Sequence, residues 1–131
     1  MNAADLKEVL AKHRLYLGGD AGGERADLHG ANLRGANLIE ANLCGANLGG
    51  ASLAEADLWM ANLTGADLHD ADLEGADLHD AILTGADLHG ANLRWANLRW
   101  AILHRANLLD ADLRWADLEG AIGLEAEEGT T

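Results

Sequence analysis

A five-residue repeat decides the fold of this chain. Residues 26–45 read ADLHGANLRGANLIEANLCG, and the same pattern continues to residue 120, giving nineteen units. Each unit begins with Ala and has Leu in its third place, and its second place is almost always Asn or Asp. A period of five fits neither an α-helix nor a flat strand, whose periods are about 3.6 and about 2 residues. The repeat therefore predicts a solenoid of short extended segments joined by tight turns, with Ala and Leu inside.

Departures from the pattern indicate how many units make one coil. Ile82, Ile102 and Ile122 replace Asn or Asp at intervals of 20 residues, and Trp95 and Trp115 are separated by the same interval. Four units, and hence four sides, are expected in each coil, so the nineteen units make just under five coils. The fifth place is Gly in nine units, which predicts a turn position with positive φ. One column of the expected core is formed by Leu28, Leu48, Leu68, Leu88 and Leu108.

Residues 26–120 resemble the pentapeptide-repeat family, whose motif is A(D/N)LXX. The resemblance implies an all-β solenoid, namely a right-handed quadrilateral β-helix with Leu and Ala pointing inward. It also implies two modes of action. Several members that confer quinolone resistance bind DNA gyrase by mimicking DNA, and some members form homodimers through their C-terminal coils. This chain departs from the resistance proteins because its repeat is short, no Phe stands at the Leu place and no projecting loop is evident.

The chain divides into three expected parts, which are a capping helix with its lead-in (1–25), the β-helix (26–123) and an acidic tail (124–131). Asn2 can cap a helix over residues 2–17, and Gly18 can end it. Covering the first coil is the expected role of this helix, with partner binding as the alternative. One side of the helix carries Leu6, Val9, Leu10 and His13.

The C-terminal end of the repeat has no comparable cap. An open coil leaves unpaired main-chain groups and exposed Leu side chains, which can pair with another chain. We therefore expect end-to-end dimerisation at this end of the rod.

Composition excludes several classes of protein. The 131 residues include 22 Asp and Glu against 9 Lys and Arg, giving a net charge of −13, so direct binding to nucleic-acid phosphates is not expected. The single cysteine, Cys44, excludes a disulfide scaffold. No apolar stretch is long enough to cross a membrane and no signal peptide is recognisable, so we expect a cytoplasmic protein.

Acidic side chains dominate the middle of the repeat. Residues 26–90 contain eleven acids and one base, Arg34, whereas residues 91–120 contain four of each. One interpretation is solubility and side-chain ladders, and the other is a surface that mimics DNA phosphates and occupies a DNA-binding enzyme. The predicted acidic face comprises Asp57, Asp67, Asp70, Asp72, Glu74, Asp77, Asp80 and Asp87.

Apolar side chains occupy outward places of the repeat and predict a protein interface. Three Trp residues stand in the fifth place, where exposed aromatic clusters usually mark contacts. The alternative is that these rings merely lie flat over neighbouring Arg stems. The predicted interface comprises Trp59, Met60, Ile82, Trp95, Trp100, Ile102, Trp115, Ile122 and Leu124.

Nothing in the sequence predicts catalysis, a cofactor or a metal. The glycines are turn residues at fixed spacing, the only Ser is Ser52, and a core filled by side chains leaves no pocket. His69 and His89 would stack one coil apart near acids, but a solvated column explains them better than a metal site. We therefore expect a non-catalytic binding module. The alternatives are a DNA mimic that binds gyrase or another DNA-binding enzyme, and an accessory part of a larger assembly.

Overall fold

A computed structural model describes residues 1–124. It begins with helix α1 (Ala3–Leu17) and continues as a stack of coils. Within these residues, the coils pair through isolated parallel β-bridges rather than through longer strands. Each bridge joins second-place residues that are 20 apart, from Asp27↔Asn47 to Ile102↔Ile122. The bridges confirm that four units make one coil.

The four sides of the stack each collect every fourth unit. Face 1 contains the units that begin at residues 26, 46, 66, 86 and 106, and face 2 those at 31, 51, 71, 91 and 111. Face 3 contains the units at 36, 56, 76, 96 and 116, and face 4 those at 41, 61, 81, 101 and 121. The fourth and fifth places of each unit form the corner that leads to the next face.

Main-chain hydrogen bonds connect neighbouring coils on all four faces. In a representative unit, the Leu48 N–H donates to the Asp67 carbonyl at 2.7 Å, and the Asp67 N–H donates to the Ala46 carbonyl at 2.9 Å. The Ala71 N–H donates to the Leu68 carbonyl within one coil, at 3.0 Å, and closes the corner. The repeat thus places its backbone groups in equivalent surroundings every five residues.

The second place closes the following corner with its side chain. In all sixteen units with Asn or Asp there, Oδ1 accepts the N–H of the residue two positions later. For example, Asp57 Oδ1 accepts the Trp59 N–H at 3.1 Å. This is the Asx-turn that favours Asn and Asp in turns. The sequence analysis did not identify this bond, which gives each Asn and Asp of the second place a structural role.

The fifth place has positive φ in all nineteen units, as the nine glycines predict. The ten units without Gly adopt the same conformation, including Trp95, Trp100 and Trp115, whose φ values are 61°, 60° and 62°. Residues other than Gly pay roughly 1–2 kcal/mol for this left-handed region. Ten corners therefore carry side chains at a cost that Gly would avoid.

The core is a column of Ala and Leu that is sealed except at its C-terminal end. Leu28, Leu48, Leu68 and Leu88 are at most 1 % exposed. Leu108, which the sequence places in the same core, is only partly buried. The reason is that each Leu is covered by the residue 20 positions later, and the repeat ends before that position is reached.

Helix α1 covers the first coil and is anchored there by a buried histidine. Asn2 caps the helix by accepting the Asp5 N–H at 2.8 Å. His13 is fully buried, and its Nδ1 accepts the Ala26 N–H at 2.9 Å. Because Nδ1 is the acceptor, Nε2 carries the proton and donates to the Cys44 carbonyl at 2.9 Å. One side chain thus joins the helix to two points of the first coil.

Candidate functional site

The exposed tryptophans lie at two neighbouring corners near the C-terminal end. Trp95 and Trp115 occupy the corner after face 2, one coil apart, and their rings stack with centroids 5.1 Å apart and planes 17° apart. The Arg114 guanidinium carbon lies 5.4 Å from the centre of the Trp115 ring. Even so, Trp95 and Trp115 are 61 % and 60 % exposed. Stacking therefore explains how the rings are oriented, but the pair still presents a large apolar area to solvent.

Trp100 occupies the next corner, after face 3, and lies against the last coil. A Cβ atom added to Gly120 would collide with the Trp100 ring, so the missing side chain makes room for it. At the same corner, Arg99 forms an ion pair with Glu119 of the last coil at 3.1 Å. We call Trp95, Trp100 and Trp115 the tryptophan surface. It spans both edges of face 3 in the last two coils.

Trp59 and Met60 belong to the Trp100 corner but lie two coils before Trp100, with Asp80 between Met60 and Trp100. They are 37 % and 46 % exposed. The structure therefore separates them from the tryptophan surface, although the sequence grouped all of them. Ile39 stands one coil before Trp59 and is 41 % exposed. Sequence reasoning missed this residue, although its fourth-place position 20 residues before Trp59 could have identified it.

The isoleucines form a continuous ladder on face 4. Bridges pair Ile82 with Ile102 and Ile102 with Ile122, and Ile122 is 50 % exposed. Leu124 extends this face at its C-terminal end and is 41 % exposed. Isoleucine has no acceptor for the corner N–H, so the Asx-turn bond of the other units is lost at Thr84 and His104. The apolar ladder therefore replaces a bond that every unit with Asn or Asp keeps.

The acids form a belt around three faces rather than a single face. Face 1 carries Asp67, Asp70 and Asp87, face 2 carries Asp72 and Glu74, and face 3 carries Asp57, Asp77 and Asp80. The bridges place Asp57 beside Asp77 and Asp67 beside Asp87 on adjacent coils. Like charges directly opposite one another are unfavourable. These stacked carboxylates are therefore an electrostatic feature that solubility alone does not require.

Several of these carboxylates are tied to neighbouring bases. Hydrogen bonds from Asn92 and then from Arg94 lower the pKa of Glu74, whose Oε2 lies 2.7 Å from Arg94 Nη2. Burial raises the pKa of Asp67, but hydrogen bonds from the side chain and backbone of His69 lower it overall. The same hydrogen bond, 2.6 Å long, raises the pKa of His69. In the last coil, the hydrogen bonds of Arg114 lower the pKa of Asp112 to about 2.

The other singled-out polar residues do not assemble into a site. His29 and His69 cover Gly49 from the two neighbouring coils, with ring centroids 6.2 Å apart. Residues 1–124 contain no group of three or more His, Cys, Asp or Glu arranged to hold a metal ion. Cys44 is partly buried and contributes its carbonyl to His13. Over the same residues, no helix has the length and apolar character needed to span a bilayer.

The C-terminal coil has an open edge within the described residues. Leu108, Leu113 and Leu118 are partly buried, whereas the corresponding Leu residues of the first coil are at most 2 % exposed. The predicted acidic tail lies outside the described residues from position 125 onward. End-to-end dimerisation at this edge stays a prediction.

Comparison with known proteins identifies the scaffold. A pentapeptide repeat protein from the thylakoid lumen of Arabidopsis thaliana is 35 % identical, with a TM-score of 0.55, over 73 % of this chain. The chain spans 63 % of the length of that protein. A pentapeptide repeat protein from Nostoc PCC 7120 is 36 % identical over 77 % of this chain and 71 % of its own, with a TM-score of 0.40. QnrB1, a plasmid-mediated fluoroquinolone resistance protein, is 22 % identical over 72 % of this chain and 59 % of its own, with a TM-score of 0.37.

No curated protein matches the chain in sequence. The family model for pentapeptide repeats matches residues 24–59, 61–99 and 81–120, with eight copies. These matches cover most of the repeat described above, and the chain belongs to the pentapeptide-repeat family.

Proposed function

We propose that the protein is a non-catalytic binding module that presents its tryptophan surface to a protein partner. The rod itself is a scaffold, which we infer to be right-handed as in its family, and a scaffold does not fix a function. The function is therefore expected at the places where the sequence departs from the repeat. The cytoplasmic location also stays a prediction, and the similar Arabidopsis protein comes from the thylakoid lumen.

The conformation of the tryptophans is the observation that carries the proposal. Trp95, Trp100 and Trp115 all adopt positive φ, where Gly would avoid roughly 1–2 kcal/mol of strain. Stacking of Trp95 on Trp115 offsets about 0.5–1.5 kcal/mol of this strain. The rings nevertheless remain more than half exposed. Local rules are typically broken at functional sites, and exposed Trp residues are enriched among the side chains that dominate binding energy.

Substitution by Gly gives a direct test of this surface. A Trp95→Gly/Trp115→Gly variant restores the preferred residue at both corners, so we expect it to fold normally. Immobilised wild-type and variant proteins are compared for the proteins they retain from an extract of the native host, quantified by mass spectrometry. A partner that wild type retains and the variant loses by tenfold or more supports the proposal. Asp110→Gly is the matched control, because it makes the same change at another corner of the last coil and should retain the partner.

A second candidate function is mimicry of DNA, favoured by the stacked carboxylates. Asp57 with Asp77 and Asp67 with Asp87 keep like charges on adjacent coils, about 4.8 Å apart. Substitution by Asn removes these charges and leaves Oδ1 free to accept the corner N–H, so the rod is preserved. DNA gyrase or another enzyme that binds DNA is the proposed partner in this case.

The two candidate functions differ in their dependence on salt. Gyrase supercoiling is titrated with wild type and with the fourfold Asp→Asn variant at low and moderate salt. Inhibition that weakens with salt and is lost in the variant supports mimicry, because exposed charges are screened over about 10 Å at 0.1 M salt. Inhibition that is unchanged in the variant contradicts it. Binding at the tryptophan surface should tolerate salt and depend on Trp95 and Trp115 instead.

A further inference from the structure

Face 4 differs from the other three faces in its charge. Faces 1, 2 and 3 each carry between four and six acidic residues. From residue 41 to residue 124, face 4 carries none, and its only formal charge in that range is Arg105. In a chain with a net charge of −13, this side is thus free of acids over the described residues.

The same face is apolar because Ile replaces the Asn or Asp of the repeat in its later coils. Its second places change from Asn42 and Asn62 in the first coils to Ile82, Ile102 and Ile122 in the later ones. The first two of these substitutions remove the side-chain acceptor for the N–H groups of Thr84 and His104. A half-buried to exposed ladder of Ile is therefore kept where Asn or Asp would close the corner.

We propose that face 4 pairs two copies of this chain side by side. A second copy is favoured because it too has a net charge of −13, so contact through any other face brings acids against acids. Contact through face 4 avoids this repulsion and buries both Ile ladders. A face that has no acid between residues 41 and 124, is apolar in its later coils and is complementary to itself suits a two-fold dimer. This proposal shares Trp100 with the tryptophan surface but does not depend on a protein partner at Trp95 and Trp115.

The corners that flank face 4 favour parallel rods. The fifth-place residues on one side are Glu40, Met60, Asp80, Trp100 and Gly120, and those on the other side are Gly45, Gly65, Gly85 and Arg105. A two-fold axis parallel to the rods places each small corner opposite the larger corner of the other copy, at the same coil level. An axis across the rods at the middle rung instead places the larger corner against itself in reverse order, so that Asp80 of one copy faces Asp80 of the other.

Parallel pairing also gives Arg105 a contact. Arg105 of one copy then lies at the level of Trp100 of the other, since both residues belong to the fourth coil. An Arg guanidinium over a Trp ring is a favourable cation–π pair. The face has only five rungs, about 4.8 Å apart, so it is short and the dimer belongs to the weak, reversible class of interface.

Sedimentation equilibrium over about a hundredfold range of protein concentration tests the proposal. Wild type is expected to shift from monomer to dimer. The Ile82→Asn/Ile102→Asn variant is expected to remain monomeric, with association at least tenfold weaker, although it regains two Asx-turn bonds and keeps a Tm close to that of wild type. Ser52→Asn is the matched control, because it adds an Asx acceptor on face 2 and should associate like wild type.

The orientation is tested with the chain's only cysteine, Cys44, which carries a nitroxide label for distance measurement. Parallel rods place the two labels at the same level, separated only across the interface. An end-to-end dimer through the last coils places them at the far ends, about 40 Å or more apart. Wild type that stays monomeric, association that survives Ile82→Asn/Ile102→Asn, or the long label distance would each overturn the proposal.

Discussion

The two ends of the rod are built from the same repeat and yet differ in how they are finished. At the N-terminal end, α1 covers the first coil and His13 satisfies main-chain groups at Ala26 and Cys44. At the C-terminal end, no described residue covers Leu108, Leu113 and Leu118 in this way. The covered end has three glycines among its four corners, whereas the last two coils concentrate Trp and Arg there.

This difference suggests a division along the rod: the first coils serve stability, and the last coils carry the residues that serve function. The first coils follow the repeat closely and are sealed, so their residues are explained by packing and hydrogen bonding. The last coils depart from the repeat at corners with positive φ and at the second place of face 4. Departures that cost stability indicate where the molecule is selected for something else.

Core Leu side chains should contribute more to the free energy of unfolding in the middle of the rod than at its open end. Leu68 is fully buried, so Leu68→Ala should lower the free energy of unfolding by about 3–5 kcal/mol, as for other cavity-forming changes. Leu113 is only partly buried, so Leu113→Ala should cost about 1 kcal/mol. Urea unfolding of both variants measures the difference. Equal losses would mean that the last coil is covered in solution, either by the acidic tail or by a second copy.

The period of the fold could be predicted from the sequence because exceptions to a repeat mark its register. The spacing of Ile82, Ile102 and Ile122 predicts four units per coil, and the bridges confirm it. The positive φ of the fifth place followed from its glycines, and it extends even to Trp95. The cap at Asn2 was also predictable, because it depends only on residues that are close together in sequence.

Features that depend on docking or on coverage could not all be predicted. The position of His13 on a helix gives no sign that Ala26 and Cys44 will be its partners, because the packing of α1 on the coil decides that. The partial exposure of Leu108 could have been predicted from the sequence, since no repeat unit lies 20 residues later to cover it. The Asx-turn bonds could also have been predicted from the preference of Asn and Asp for turns. For the tryptophan surface, the spacing of 20 residues predicted which corner each Trp occupies. The stacking of Trp95 on Trp115 and the contact of Trp100 with Gly120 could not be predicted, because they depend on side-chain conformation.

The anchor of the covered end should be sensitive to loss of hydrogen bonding. His13→Leu keeps a buried apolar side chain but leaves the Ala26 N–H and the Cys44 carbonyl without partners. Each unsatisfied buried group costs about 1–3 kcal/mol, so the loss of two partners should lower the free energy of unfolding by about 2–6 kcal/mol. Hydrogen exchange should show faster opening of α1 and the first coil, with little change near Leu103. Uniform acceleration along the rod would instead mean that the cap and the coils unfold as one unit.

Corner residues at the two ends should respond in opposite directions. Gly35 in the first coil has a φ of 66° and open space around it, so Gly35→Ala should cost about 1 kcal/mol through backbone strain alone. Asp110 in the last coil has a φ of 60°, so Asp110→Gly should stabilise the protein by about 0.5–1 kcal/mol. Thermal unfolding of both variants measures the pair. A destabilising Asp110→Gly would show that this carboxylate makes a contact that outweighs its strain.

The smallest expected effects concern ion pairs in the middle of the rod and at its open end. The hydrogen bond to Asp67 raises the pKa of His69 above 6.5, so its stabilising contribution is complete below pH 6.5 and is lost as the pH rises through the raised value. Hydrogen bonds from Arg114 lower the pKa of Asp112 from 3.8 to about 2, so its contribution is present above pH 3.8 and is lost as the pH falls towards 2.

Titration followed by NMR should separate these two pairs. In Asp67→Asn, which keeps an acceptor for the corner N–H, the pKa of His69 should return towards 6.5. In Arg114→Gln, the pKa of Asp112 should rise towards 3.8, although the main-chain N–H of residue 114 still donates to it. If neither value moves, the pairs do not persist in solution. The acids would then be less neutralised by neighbouring bases than the structure indicates, which would strengthen the case for DNA mimicry over that for the tryptophan surface.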